Sequence, residues 1–417
     1  MNYGCIGEKL AHSFSKEIHN RLFDYEYILK EIPREELRDF MVQKDFKAIN
    51  VTIPYKEAVI PYLDFIDETA EKIGAVNTVV NRDGKLYGYN TDFSGMRALI
   101  EKNNLSLTGK KVLILGSGGT SKTAYAVAES LGAREIYKVS REGKDGCITY
   151  AEAKNRHADA EVIINTTPCG MYPKVNVSAV DVADFPQLSA VVDAVYNPLR
   201  SRLVCDALNK GVPAVGGLYM LVAQAAFAAE YFTGCSVAPE KIDKIYQDLF
   251  LTKQNIVLIG MPGSGKTTVG KALAEMLHMT FIDTDEKIVE QAKKPIVEIF
   301  AEQGEQAFRD LESQAIFDVS KEQHVVIATG GGAVLRSENV TLLQQNGRIY
   351  FLDRPLSAIE ATLDRPLSSN RAALQQRYKE RYDIYVNSAQ VHLHTGDDAA
   401  ETAQKIKEDF CNEYSCH

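Results

Sequence analysis

The sequence predicts an α/β protein built from two successive parallel-sheet units, and three observations predict it. Short apolar runs of strand length alternate with helical segments through most of the chain. The alternation breaks once, at the polar joint TKQN (252–255), and then starts again. Each stretch contains a buried-looking strand that runs into a glycine turn and a helix: KKVLILGSGG at 110–119 and IVLIG from 256. At 417 residues the chain is also too long for one ordinary core.

In chain order, YEYILKEI (25–32) and AINVTI (48–53) read as strands and PREELRDFM (33–41) as a helix. The Asp83-Gly84 pair separates VNTVVN from KLYGYN and predicts a hairpin. After the glycine turn and the helical TSKTAYAVAESL come further strands at 135–140, 160–166 and 190–196, with helical segments between them. This pattern predicts a doubly wound parallel sheet. Residues 217–232 and 239–250 read as helices. In the second stretch, strands are expected at 256–260 and within MTFIDT, VVIATG and RIYFLD, with a helix from Lys266. The expected organisation is a lobe over 1–100 completed by helices returning at 218–250, a second lobe over 101–217, and a domain over 253–417, with a boundary near 253.

A net charge of −9 argues against nucleic-acid or anionic-membrane partners, because no excess of cations is present to neutralise phosphates. Seven scattered cysteines without CxxC spacing fit neither a disulfide framework nor a zinc site. No secretory signal and no run of membrane-spanning length is legible, so a reducing cytoplasm is the expected location. Oligomeric state is not legible.

The sharpest motif is Gly260-Met-Pro-Gly263-Ser264-Gly265-Lys266-Thr267, followed by Thr268. It satisfies GxxxxGK[ST] between a strand and a helix, and chance matches in such a chain number roughly 0.02. Glycines let the backbone wrap an oxyanion, Lys266 reaches the β/γ-phosphates, and the Thr267 hydroxyl ligates Mg²⁺. Asp283 and Asp285 follow at a strand end, where they suit either a metal-bound water and a base or simple caps of a helix at 286–291. Arg309 suits a surface charge or a carboxylate clamp.

With IVEIFAEQGEQAFRDLE, TGGGAV, DRPL (364–367) and Glu380-Arg381, this ensemble resembles shikimate kinase over nearly all of 253–417. The resemblance implies a P-loop kinase domain in which Asp285 contacts the shikimate hydroxyls as base and Asp283 supports Mg²⁺. It further implies that Arg309, Arg381 and the Gly330, Gly331, Gly332 turn hold substrate, and that Arg365 covers the phosphates of ATP. Gluconate-type and nucleoside-monophosphate kinases offer no reason for the GGG turn or the FRxxE run.

In the first stretch, Gly116-Ser117-Gly118-Gly119-Thr120-Ser121 is a partial dinucleotide fingerprint at the first turn of a βαβ unit. The next strand ends in Ser140 and Arg141, a cation suited to the 2′-phosphate of NADP, with Glu142 one residue later. Ser13, Ser15, Asn50, Thr52, Asn77 and Asn90 offer hydroxyls and amides that suit either turns and caps or a polyhydroxylated ring. Lys56 and Asp92 form a pair able to deliver a proton to a reduced carbonyl.

The runs AHSFS, NVTIPYK, GAVNT, YNTD, LGSGGTSK, VIINTTPCGM, VDAVYNPLRSRL and GLYMLVAQAAFAAE resemble shikimate dehydrogenase from about residue 1 to 250. That resemblance implies a substrate lobe and a Rossmann lobe binding NADP(H). It makes Lys56 the proton shuttle and Asp92 its partner, with Ser13, Ser15, Asn50, Thr52, Asn77 and Gln224 on the substrate and Tyr196 and Gly217 lining the cleft. The expected substrates are 3-dehydroshikimate and then shikimate. A nucleotide-sensing regulatory module is the alternative; loss of Lys56 or Asp92 would favour it, and both are present.

Overall fold

A computed structural model describes residues 1–10, 14–359 and 371–412. Ser13, Arg365 and the DRPL run therefore lie outside the described residues. The chain divides into two compact units, Met1–Asp248 and Leu249–His417.

The first unit contains two sheets. One comprises β1 (Tyr3–Gly7), β2 (Tyr27–Glu31), β3 (Ala48–Val51), β4 (Phe65–Ile66), β5 (Thr78–Arg82) and β6 (Lys85–Tyr89), in the order β2-β1-β3-β5-β6-β4. β1 runs parallel to β2 and β3, and β3 to β5 and β5 to β6 are antiparallel. Asp83 and Gly84 both take positive φ, 54° and 82°, which is the backbone a two-residue hairpin turn requires. Along β3 the side chains alternate. Ile49 and Val51 bury with Ile6, Val79 and Leu86, while Ala48 joins Cys5, Tyr27 and Val80 under Ala228 and Phe232 of the helix Leu218–Thr233. Asn50 therefore belongs to the face covered by that helix.

The same helix packs against the helix Thr91–Lys102 at Gly95, where a Cβ would come within 2.7 Å of Met220 O and 2.8 Å of Gln224 Cβ. Only glycine permits this approach, and it brings the helix bearing Asp92 against the one bearing Gln224. The expected helix over 33–41 is a 3₁₀ turn, Arg34–Glu36, leading into a helix at Leu37–Gln43.

The second sheet comprises β7 (Lys111–Leu115), β8 (Glu135–Ser140), β9 (Ile148–Thr149), β10 (Val162–Asn165), β11 (Ala190–Asp193) and β12 (Ala214–Val215). Its order is β12-β11-β10-β7-β8-β9 and every pairing is parallel. β7, β10 and β11 are buried along their whole length. A parallel sheet covered on both faces produces such unbroken apolar runs.

The second unit holds one parallel sheet of β13 (Asn255–Ile259), β14 (Thr280–Asp283), β15 (Val325–Ala328), β16 (Gly347–Asp353) and β17 (Val391–His394), ordered β14-β15-β13-β16-β17. Ile256, Leu258, Val326 and Leu352 bury against Val269 and Leu273 on one side of the core. The joint at 252–255 is not a solvated linker. Gln254 and Asn255 are fully buried, and Asn255 donates to Glu322 O at 2.8 Å and accepts from Val325 N at 3.1 Å. The division falls inside the helix Pro239–Leu251, whose last residue packs on the second core.

Candidate active sites

In the first unit, Asn90 caps the helix Thr91–Lys102 by accepting from Phe93 N at 3.1 Å. Asp92 thus sits in a first turn, where the helix field favours a carboxylate. Lys56 follows β3, and its Nζ donates to Asp92 Oδ2 at 2.5 Å, with the two side chains 17% and 11% exposed. Lys56 is therefore not a solvated surface charge.

Asn50 Oδ1 accepts from Tyr27 Oη at 2.7 Å, and its amide donates to Asn77 O at 3.3 Å and Thr78 Oγ1 at 3.2 Å. Asn77 Oδ1 accepts from Thr91 N at 2.7 Å. This chain of bonds links β2, β3, β5 and the residue preceding Asp92, so both asparagines already serve the scaffold. Thr52 N donates to Ile6 O at 2.9 Å. Ser15 opens the helix Ser15–Leu22, which has no side-chain cap, and Phe14 before it meets the Tyr196 ring at 5.4 Å. Gln224 is 9% exposed and its amide donates to Leu221 O at 2.9 Å. Gly217 precedes the helix Leu218–Thr233, and a Cβ there would overlap Ala194 O. His19, stacked on Tyr27 at 3.9 Å, is pushed down to about 3 by burial, so it stays neutral and is no cationic acid. Lys56 is left as the charged donor beside this network.

A cleft of about 1210 Å³ runs from Pro54, Lys56 and Glu57 to Gly116–Thr120, Ser140 and Arg141. Gly116 takes φ 120°, and a Cβ would approach Thr166 Oγ1 within 2.6 Å. The helix Gly119–Ser130 begins at Gly118 with no side-chain cap, and Gly118 and Gly119 have open space where a Cβ would point. Its N–H groups and dipole present an anion site with room above it. Ser121, in place of a third glycine, is buried and donates back to Gly118 O at 2.6 Å, so it closes the turn without entering the cleft. Ser140 Oγ accepts from Gly143 N at 3.1 Å. Arg141 has no ion pair among the described residues, whereas Glu142 pairs with Lys144 at 2.5 Å. A guanidinium in this position on the cleft wall suits a 2′-phosphate.

In the second unit, β13 enters the phosphate loop through Gly260, Gly263 and Gly265, with φ 147°, 84° and 90°. Lys266 opens the helix Lys266–Leu277 and its Nζ donates to Gly260 O and Met261 O, both at 2.9 Å. Ser264 is buried, with its Oγ facing Gly260. The capping reading of Asp283 holds: Oδ1 caps the helix Thr284–Ala292 by accepting from Asp285 N at 3.0 Å, while Oδ2 accepts from Thr267 Oγ1 at 2.8 Å. Two hard oxygens beside a phosphate loop fit Mg²⁺.

These groups line a cleft of about 540 Å³ together with Thr268, Asp285, Arg309, Gly330–Gly332 and Arg381. Gly304 takes φ 82° and breaks the helix Ile296–Val319, and Arg309 follows in its second part. Arg309 Nη1 donates to buried Glu312 at 2.7 Å and Nη2 to Glu305 at 3.1 Å. Arg381 donates to Gly331 O at 2.9 Å. Burial first, then the charges of Asp283 and Glu312, raise Asp285 to about 6, with Lys266 and Arg309 opposing. Its buried Oδ1 has no protein partner, which suits an oxygen waiting for a hydroxyl.

Sequence reasoning gave no role to Thr166, Thr167 and Lys174 of the first cleft, or to Arg354 and Arg377 of the second. A signal existed for the threonines: VIIN ends in TTPCG beside the glycine turn, at the carboxyl end of a central strand. Arg377 lies one helical turn before Arg381, a spacing that was readable only once the helix Arg371–Ser388 was known.

The family described as Shikimate dehydrogenase substrate binding domain matches residues 5–79, and the family described as Shikimate kinase matches residues 262–411. A shikimate dehydrogenase (NADP(+)) of Clostridium perfringens is 37% identical over 271 residues, covering 59% of this chain and 97% of the relative. The crystal structure of shikimate dehydrogenase 1 from Peptoclostridium difficile matches with a TM-score of 0.56 at 35% identity, covering 60% of this chain and 98% of that one. The shikimate 5-dehydrogenase of Thermus thermophilus, in complex with NADP(H) and shikimate, matches with a TM-score of 0.54 at 28% identity over 60% of this chain and 99% of that one.

Proposed function

The chain belongs to the shikimate dehydrogenase family and carries a shikimate kinase domain in its second unit, and from that premise we propose how its residues divide the work of the two reactions. The protein is a bifunctional enzyme of the shikimate pathway. It reduces 3-dehydroshikimate to shikimate with NADPH and phosphorylates shikimate to shikimate 3-phosphate with ATP. The single observation that carries the residue assignment is the shielded Lys56–Asp92 pair at the edge of the first cleft.

In the dehydrogenase, Lys56 Nζ gives its proton to the substrate's carbonyl oxygen and Asp92 holds the ammonium in place. Ser13, Ser15, Asn50, Thr52, Asn77 and Gln224 bind hydroxyls and carboxylate, and Tyr196 and Gly217 wall the pocket. Gly116, Ser117, Gly118, Gly119 and Thr120 receive the pyrophosphate, and Ser140 with Arg141 receives the 2′-phosphate. NADPH supplies the hydride when bound.

In the kinase, Asp285 Oδ1 accepts the proton of the attacking hydroxyl. Arg309, Arg381 and the Gly330–Gly332 turn hold the substrate carboxylate and ring. The Gly263–Thr268 loop seats the phosphates, Lys266 and Arg365 offset their charge, and Thr267 and Asp283 would hold Mg²⁺, which would supply further neutralisation of phosphate charge. The opposite charges of Glu305 and Glu312 keep the Arg309 fork turned toward the cleft.

No helix among the described residues is long and apolar enough to cross a membrane. We place the enzyme in the cytoplasm, working on small molecules without nucleic-acid or membrane partners. The test is incubation of the purified chain with 3-dehydroshikimate and NADPH, with and without Mg-ATP, followed by NADPH absorbance and mass spectrometry. Shikimate without ATP and shikimate 3-phosphate with it is the expected result. In Lys266→Ala the second product should disappear while the first persists, and a full kinase rate in that variant would remove the phosphate loop from the reaction.

A further inference from the structure

Asp353 closes β16 and is paired across the parallel ladder with His394 of β17. His392 and His394 are two residues apart on that strand, so their side chains stand on one face. His392 Nε2 lies 3.0 Å and His394 Nδ1 3.3 Å from the same oxygen, Asp353 Oδ2. One ligand atom from each residue falls within 4.8 Å of the others. Ligands about 2.0–2.1 Å from a tetrahedral centre stand about 3.3 Å from one another; the His394 nitrogen keeps that spacing from the carboxylate oxygen and the His392 nitrogen is 0.3 Å closer.

The cluster is also oriented in advance. Asp353 is 6% exposed and its other oxygen accepts from Tyr378 Oη at 3.1 Å. The His392 ring stacks on Phe351 at 4.8 Å. Such supports fix a ligand's direction before the ion arrives. The His394 side chain is 80% exposed, which leaves an entry path and an open coordination position.

We propose that Asp353, His392 and His394 bind a borderline divalent cation of the zinc, cobalt and nickel class. Two imidazoles and one carboxylate favour that class, whereas Mg²⁺ takes oxygen donors such as those of Thr267 and Asp283. On binding, the ring nitrogens that face Asp353 present lone pairs, and each neutral imidazole carries its proton on its other nitrogen. The site does not depend on the residue roles proposed above. It adjoins them through Arg354, the residue after Asp353, and through the helix of Tyr378, which carries Arg377 and Arg381; all three arginines line the kinase cleft.

The full chain, free of nucleotide and in excess Mg²⁺, is titrated with Co²⁺ while its visible and near-ultraviolet absorption is followed. One Co²⁺ per chain with visible ligand-field bands, no thiolate charge-transfer band, and release by Zn²⁺ is the expected result. His394→Ala and His392→Gln should each weaken binding by about tenfold or more. Because His394 is exposed, its variant should retain the wild-type kinase rate in the absence of added cobalt. No bound cobalt, a thiolate band, or unchanged affinity in His394→Ala would each overturn the site.

Discussion

Lys56 Nζ and Asp92 Oδ2 meet at 2.5 Å with both side chains largely withdrawn from solvent. An ion pair between exposed groups contributes little, but a shielded one fixes where a proton donor stands. Asp92 is itself fixed, because Asn77 Oδ1 holds the amide of Thr91.

Lys56→Ala removes the donor and leaves the Asp92 charge without its partner. The reductase kcat should fall by roughly 10²–10⁴, the usual contribution of a positioned acid. The kinase rate, measured on added shikimate and ATP, should be unchanged. An unaltered reductase kcat would exclude Lys56 as the proton donor.

Arg141 should decide between the two nicotinamide cofactors. It lines the cleft with no ion pair among the described residues. A hydrogen bond to a charged group contributes about 1.5–3 kcal/mol. Arg141→Ala should therefore raise KM for NADPH by about 10- to 100-fold while leaving KM for NADH unchanged. Equal losses with both cofactors would move the residue's role to general folding.

Much of this was legible because local chemistry and global fold agree. The two strand–glycine–helix turns, the Asp83-Gly84 hairpin and the phosphate loop each need particular residue types at fixed spacing, and a single sequence displays those. Asn50 and Asn77 were legible as polar groups but not as partners, because their bond joins strands 27 residues apart. Glu312 could be seen beside Arg309 in sequence, yet its burial depends on how the Gly330–Gly332 turn packs over it. The helical break at Gly304 was hidden because a glycine inside an apolar period announces no conformation of its own. The Asp353 cluster was invisible for the same reason as the asparagines: it forms only when β16 and β17 are set in register.

Asp285 makes kinase activity and stability respond to pH in opposite senses. Its carboxyl stands at about 6, raised from 3.8 chiefly by burial and then by Asp283 and Glu312. A base must be ionised, so kinase kcat/KM should fall about tenfold per pH unit below about 6. In stability the sign is reversed. The folded chain binds this proton more tightly than the unfolded chain, so stability falls as pH rises from about 4 to 6 and stays lower above that. The displacement corresponds to about 3 kcal/mol as an upper figure. Asp285→Asn should abolish phosphorylation and raise the melting temperature of the second unit at pH 7. An active variant, or one less stable at pH 7 than wild type, would contradict the assignment.

Gly332 tests whether the glycine turn and Arg309 act as one surface. A Cβ at this position would overlap the Arg309 guanidinium, and φ there is −107°, so alanine meets no backbone strain. Space alone is altered. Arg309 cannot simply retreat, because Glu312 holds Nη1 at 2.7 Å from within the core and Arg336 donates to the Arg309 backbone carbonyl at 2.9 Å. Gly332→Ala must therefore turn the fork away from the cleft or break its bond to Glu312, and either removes a charge-assisted contact to a carboxylate. KM for shikimate should rise by about 10- to 100-fold, from the 1.5–3 kcal/mol typical of such a contact. KM for ATP should remain within about twofold, since the phosphate loop is untouched, and an equal rise in both constants would mean that the turn supports the whole cleft instead of orienting one arginine.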